Sequence, residues 1–314
     1  MPGMLKVSRF NRRMAYACAS LLTISIVGCR LTSIHTDVTS RVIAVAAVLG
    51  TILWIPAFWH DRGQIQLRDS ALTLPWATLI AALLPFPLLI AARLRMPLQD
   101  DFFARIDESL GIRVSDIVAW SAHHWLGALL NHSYGVLVWM LVASIFVPAL
   151  SGKSRDAQAF IEANLVAFAI SVPLFALFPA IGPWSHYHFA ASSSQIDCQN
   201  QLLELRMPAL YTLGSQGVGI VSFPSFHVIW AILSVRALWG FRLLRIPVSL
   251  LSIMIIASTL TTGWHYFTDL IAGIIVAIVS MYIVKKTSHF HGASSRRELA
   301  SSQHPDPSPM LSIH

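Results

Sequence analysis

The sequence predicts an all-α integral membrane protein with about eight transmembrane helices, and three observations carry that reading. Hydrophobic residues make up 55% of the 314 positions and charged residues only 12%, where a soluble domain carries about twice that charge. The mean hydropathy is +0.63. The few charges are clumped, so they leave uninterrupted apolar runs of roughly 20 residues, the length that crosses a bilayer core.

Eight runs qualify: Met14–Cys29, Val42–Trp59, Leu72–Ala92, Tyr134–Leu150, Phe160–Ile181, His227–Phe241, Ile246–Thr262 and Phe267–Val284. With the N-terminus inside, Lys6, Arg9, Arg12, Arg13, Arg62, Arg68, Lys153, Arg155, Arg236, Arg242, Arg245, Lys285, Lys286, Arg296 and Arg297 fall on the cytoplasmic side. Arg30, Arg41, Arg93, Arg95, Arg105, Arg113 and Arg206 fall outside, a bias of about two to one that puts both termini in the cytoplasm of a cell-membrane protein. The net charge of +7 is thereby accounted for as topology, and no nucleic-acid partner is expected, because the basic residues form no single patch. Arg236, Arg242 and Arg245 read as topology anchors.

Arg12 and Arg13 followed by Met14 to Gly28 and Cys29 would also suit a cleaved signal peptide, with Ile26-Val27-Gly28-Cys29 resembling a lipoprotein cleavage box. Small residues beside a cysteine are common in membrane helices, so the run is read as a first span. Cys18, Cys29 and Cys198 form neither a disulfide framework nor a zinc pattern. Residues 1–92 are read as N-terminal membrane helices, 93–286 as the catalytic membrane domain, and 287–314, rich in Ser, His and Pro, as a disordered cytoplasmic tail.

Two outer segments are long. From Arg93 to Ser133, Phe103, Ile106 and Leu110 form one helical stripe opposite Asp101, Asp107 and Glu108. Val114, Ile117, Val118, Trp125 and Leu129 form a second. Both suit helices lying on the membrane surface, with Trp120 and Trp125 in the headgroup zone and Asp100 and Asp101 capping the first helix. From Gly182 to Phe226 the chain is polar and too irregular to cross lipid, with Gly214, Gly217 and Gly219 allowing tight turns. His123, His124, His132, His186 and His188 read as interfacial histidines.

Ionisable residues at membrane-helix ends are costly unless used or paired, and two clusters stand out. One is Ser222-Phe223-Pro224-Ser225-Phe226-His227 at the entry to the sixth span; the other is Thr262-Gly263-Trp264-His265-Tyr266-Phe267-Thr268-Asp269 between the seventh and eighth. Topology places both at the outer face, on helices joined by a short inner loop. His265 and Asp269, four apart, can pair on one helix face. A carboxylate on one ring nitrogen fixes the tautomer and frees the other nitrogen as nucleophile or base. His227 can supply a proton to a leaving group. Ser222 and Ser225 precede a helix start, where free amides attract an anion. The combination points to phosphoryl transfer through a phosphohistidine, a mechanism that needs no cofactor or metal.

These two clusters resemble the second and third signature motifs of the type 2 phosphatidic acid phosphatase superfamily. The Phe-Pro-Ser-x-His form, with Phe178-Pro179-Ala180-Ile181-Gly182-Pro183-Trp184 ahead of it, is similar to the branch of the fungal inositolphosphorylceramide synthases (aureobasidin-resistance proteins, inositolphosphotransferase-like). Ile106-Asp107-x-x-Leu110-Gly111 is similar to bacterial members. The resemblance covers roughly residues 95 to 285 and implies a six-helix phosphatase-like bundle in the C-terminal two thirds. It implies His265 as nucleophile, Asp269 as the residue orienting it, His227 as general acid and Ser225 as a phosphate ligand. It also implies a lipid phosphate or lipid diphosphate as substrate. The chain departs from the family at Phe226, where the commoner second motif has Gly, and at Ser258-Thr259, where the third often opens Ser-Arg. The first motif, with its Lys and Arg-Pro, is missing, which leaves Arg206 as the candidate phosphate cation.

The function expected is therefore a membrane lipid-phosphate phosphatase. A phosphotransferase of the synthase type is the alternative. Two other classes are a metalloprotein liganded by His227, His265 and Asp269, and a transporter or non-catalytic membrane protein. The polar residues lie at one face rather than mid-membrane, which argues against transport.

Overall fold

The computed structural model describes residues 9–35, 65–212 and 219–302, with side chains given outside 65–72 and 288–302. The expected second span, Val42–Trp59, lies outside these residues, as do Gly214, Gly217 and positions 303–314. The described chain is helical apart from a two-residue parallel pairing of β1 (Ile34–His35) with β2 (Tyr211–Thr212). Its helices are α1 (Arg9–Leu31), α2 (Ile65–Leu83), α3 (Pro85–Arg93), α4 (Asp100–Ser109), α5 (Val114–His123), α6 (Trp125–Leu150) and α7 (Ser154–Leu177). They continue as α8 (Pro183–Tyr187), α9 (Ser193–Leu205), α10 (Phe226–Leu238), α11 (Arg245–Thr261) and α12 (Phe267–Ser302).

Among the described residues, five helical stretches are long and apolar enough to cross a membrane: Arg9–Leu31, Thr73–Arg93, Trp125–Leu150, Ser154–Leu177 and Phe267–Thr287. Phe226–Leu238 and Arg245–Thr261 are shorter apolar helices. At 1.5 Å per residue the thirteen residues of α10 rise only about 20 Å, short of the roughly 30 Å of a bilayer core. The third expected span is two helices, broken where Pro85 begins α3, because proline removes an amide donor and clashes with the preceding turn. The fourth starts at Trp125 rather than Tyr134, so Trp125 and Leu129, expected in the second surface stripe, belong to the first turns of α6. The fifth ends at Leu177 rather than Ile181, since Pro179 disfavours helix at Phe178. α12 continues to Ser302, past Lys286, where the tail was expected to begin; the next proline is Pro305, so nothing in between breaks the helix.

The core lies where α7, α10 and α12 meet, around Phe160, Phe168, Phe175, Ile229, Leu233 and Ala277. Gly273 is needed there: a Cβ would meet the Ser225 carbonyl at 2.8 Å, so only glycine lets α12 run this close to the start of α10. α6 packs against α11 and α10 around Leu137, Met140, Ala231 and Ile255. α1 packs on α2 and α3, burying Met14 and Cys18, and Arg13 pairs with Glu162 at 3.1 Å.

α4 is amphipathic, as its spacing predicts, but Asp100 and Asp101, expected to cap it, make no cap there, and its acidic residues bond to other elements instead. The buried Asp107 carboxylate accepts from the amides of Phe267 (2.6 Å) and Thr268 (2.9 Å) and from the Thr268 hydroxyl (2.6 Å). It thus caps α12 from another helix. Burial raises the Asp107 pKa, while the Thr268 and Phe267 hydrogen bonds pull it back down. Asp100 accepts from the amides of Ile181 (3.0 Å) and Gly182 (2.8 Å) and from the Tyr266 hydroxyl (3.1 Å). Asp101 meets His186 at 2.7 Å instead of capping. Replacing Asp107 with Ala is expected to cost about 1–2 kcal/mol through loss of the α12 cap, with Asp107→Asn intermediate; thermal unfolding of the detergent-solubilised chain reads the order.

Candidate active site

Two chain reversals build the site. The first ends in Ser225, whose hydroxyl accepts the Val228 amide at 3.5 Å and caps α10. This brings His227 into the first turn of that helix. The second is the turn from Thr262 to Tyr266, in which Gly263 adopts φ +73° and the Trp264 and His265 amides donate back to the Thr259 carbonyl. A Cβ at Gly263 would collide with Phe189 at 2.5 Å. The reversals are tied together where the Ser225 amide donates to the Asp269 carbonyl at 3.1 Å.

The structure brings His265, Asp269, Ser222 and His227 together. His265 Nδ1 lies 2.9 Å from the Ser222 carbonyl oxygen and 3.3 Å from Asp269 Oδ2. A carbonyl oxygen can only accept, so Nδ1 carries the proton and Nε2 keeps its lone pair. Asp269 is 0% exposed, and its Oδ2 also accepts from the Ser222 hydroxyl (2.9 Å) and the Tyr266 amide (2.9 Å). Its Oδ1 is buried with no hydrogen-bond partner. The His227 and His265 rings stand 5.6 Å apart, centre to centre, at 61°.

The remaining candidates fare differently. The Ser222 hydroxyl, expected at an anion, is committed to Asp269. Ser225 is 0% exposed and its hydroxyl oxygen accepts at the cap. Arg206 is not brought to the histidines. Its Nη2 donates to the Met96 carbonyl at 2.8 Å, and burial together with the Arg95 charge lowers its pKa. His186 is taken by Asp101, and His124 Nδ1 donates to the Trp120 carbonyl at 2.7 Å.

Sequence reasoning missed an aromatic wall. Tyr134 stacks on His227 at 4.2 Å, with its hydroxyl 3.4 Å from His227 Nδ1. Trp264 stacks beyond Tyr134 at 6.1 Å, and Trp184 meets Trp264 edge-on at 5.6 Å. An aromatic residue near a span end reads as a belt residue by default, and that default hid Tyr134. Phe223, between the two serines, stacks on Phe103 of α4 at 4.7 Å. Among the described residues no group of three or more His, Cys, Asp or Glu side chains is arranged to hold a metal ion, so the metalloprotein reading has no ligand set there.

A helical membrane protein whose carboxylate-held histidine faces a second imidazole across a helix start is the class that fold and site define together. A family model described as PAP2 superfamily matches residues 101–283, more than half of the chain. The chain belongs to the PAP2 superfamily, and the match includes both histidine clusters. Members are generally phosphatases or phosphotransferases, which supports an enzyme of that kind acting on lipid phosphates. Comparison with curated proteins and with solved structures gives no match. The geometry predicts that 15N spectra of neutral His265 show the Nδ1–H tautomer, and that Asp269→Asn loosens this preference; an Nε2–H tautomer in the parent protein is the contrary result.

Proposed function

We propose that the protein is a membrane lipid-phosphate phosphatase that works through a phosphohistidine on His265 at the outer membrane face. The observation that carries the reading is the pinning of His265 Nδ1 between the Ser222 carbonyl and Asp269. This leaves Nε2, which makes no hydrogen bond among the described residues, as the nucleophilic nitrogen beside His227. In the first step Nε2 forms a bond to phosphorus and the bond to the lipid oxygen breaks. Protonated His227 gives that oxygen its proton. The positive charge that develops on the His265 ring is balanced by Asp269. In the second step water attacks phosphorus as neutral His227 takes its proton, the P–N bond breaks and its electron pair returns to Nε2. The separation of the rings is within about twice hydrogen-bond reach, the span a phosphoryl group with its leaving oxygen needs. Amides in the first turn of α10, at Phe226 and His227, stabilise the phosphoryl charge as a helix N-terminus does. The outer face follows from the Lys and Arg bias.

Transfer to an alcohol, as in the inositolphosphorylceramide synthases, is the second reading, favoured by the Phe223-Pro224-Ser225-Phe226-His227 form and by Pro183-Trp184. Water at roughly 55 M wins unless the site positions the alcohol, an advantage worth several orders of magnitude in effective concentration.

Two experiments test the roles. His265→Ala abolishes turnover, whereas His227→Ala slows it by about 10²–10⁴-fold, and a substrate with an acidic leaving group partly restores His227→Ala only. Equal rescue of both variants would reverse the assignment. Labelled lipid phosphate is then supplied with and without inositol or a lipid alcohol. Release of free phosphate that no acceptor diverts is expected, and label appearing mainly in a new phosphoester or phosphodiester marks a transferase instead.

A further inference from the structure

A second place in the fold concentrates charge that the histidine site does not use. Where α1 and α3 end, a cleft of 240 Å³ is lined by Ser33, Arg93, Arg95 and Ala209 among others. Arg93 is only 7% exposed. It spends its two terminal nitrogens on four carbonyls: Leu205 at 2.9 Å, Ala209 at 2.6 Å, Ser33 at 3.2 Å, and Met207. Its Nε is buried with no hydrogen-bond partner. Arg95 adds one bond to the Met207 carbonyl at 2.9 Å and is otherwise exposed. Arg206 is close enough for the Arg95 charge to lower its pKa. Among the described residues none of these three arginines has a carboxylate within ion-pair distance. Carbonyl dipoles solvate a guanidinium but do not neutralise it, so the buried Arg93 charge, with Arg95 beside it, has no counter-ion among the described residues.

Two further features bear on what fills the cleft. Ser33 and Arg95 hold left-handed backbone conformations, φ 55° and 57°, which non-glycine residues adopt at a cost and which gather at ligand clamps. Leu31 (80% exposed), Leu94, Met207 and Leu210 stand exposed around the arginines, an apolar collar on a cationic centre. The volume is below the roughly 300 Å³ at which pockets enclose a whole small molecule. It suits a headgroup whose chains stay outside on the collar.

We propose that this cleft binds the phosphate of an anionic phospholipid, held by Arg93 and Arg95, as a site separate from the histidine pair. The segment from Arg95 leads directly to Asp100, which bonds Tyr266 beside His265, so the bound lipid sits at the same end of the bundle as the histidines. The proposal is independent of what His265 does.

The test uses the full chain in phosphatidylcholine nanodiscs, titrated with phosphatidylglycerol and followed by thermal unfolding and by native mass spectrometry of retained lipid. The parent protein retains phosphatidylglycerol and its unfolding midpoint rises with the anionic fraction. Arg95→Gln weakens the apparent affinity about fivefold, the worth of one cation near an anionic surface, while Arg95→Lys keeps most of the response. Arg95 is exposed, so both variants should fold, and an unchanged far-ultraviolet spectrum checks it. The proposal is overturned if Arg95→Gln responds like the parent, or if the response is lost in His265→Ala and kept in Arg95→Gln. Inorganic phosphate alone producing the same stabilisation also overturns it, because the lipid would then contribute nothing.

Discussion

The Asp269 carboxylate organises the described half of the active end. It is fully buried, and one oxygen collects the Ser222 hydroxyl, the Tyr266 amide and the proton of His265 Nδ1. Burying a lone carboxylate costs several kcal/mol, and hydrogen bonds to a charged group return about 1.5–3 kcal/mol each. Three of them roughly offset the burial, and each also fixes a piece of chain. Tyr266 is held in the turn, Ser222 in the approach to α10, and the imidazole in one tautomer. The backbone carbonyl of the same residue accepts the Ser225 amide. A single residue therefore sets the spacing between the two motifs.

That arrangement rests in turn on α4, which lies outside both motifs. Asp107 ends α12 by accepting its first amides, and Asp100 bridges the start of α8 to Tyr266. Phe103, between them, packs under Phe223 and Tyr266. α4 is thus a clamp across the start of α12 and the segments that lead into α8 and α10. Its aspartates satisfy donors that a helix end would otherwise leave to water or lipid. The family match begins at residue 101, so it includes Phe103 and Asp107 of α4 as well as both histidine clusters.

The electrostatics around Asp269 and around Arg93 differ in kind. Around Asp269 three donors converge on one carboxylate oxygen, Oδ2, while Oδ1 stays buried without a partner among the described residues. Around Arg93, among the described residues, the positive charges are met by carbonyls and by no carboxylate. The first is suited to holding a catalytic group in place, the second to attracting an anion. Neither property can be read from the residue types alone, since both depend on which side chains lack a partner after folding.

Hydropathy and charge spacing were enough to find the apolar helices, because lipid demands long uncharged runs and leaves their length little freedom. Seven of the eight expected spans fall in described residues; five coincide with helical stretches long and apolar enough to cross a membrane and two with shorter apolar helices, and Pro85 and Pro179 moved or broke ends that hydropathy alone could not place. The pairing of His265 with Asp269 was equally legible, because a spacing of four on one helix face is a local property. What only the tertiary structure decided is which groups are already spent. Ser222 and Ser225 look like free hydroxyls in a motif, yet one is bonded to Asp269 and the other caps α10. Arg206 looks like a free cation, yet it sits by Met96 and Arg95. Tyr134 looks like a belt residue, yet it stacks on His227. Apart from the Ser225 cap, which is local, those outcomes depend on contacts between residues about 50 to more than 100 positions apart, and no local pattern encodes a partner at that separation.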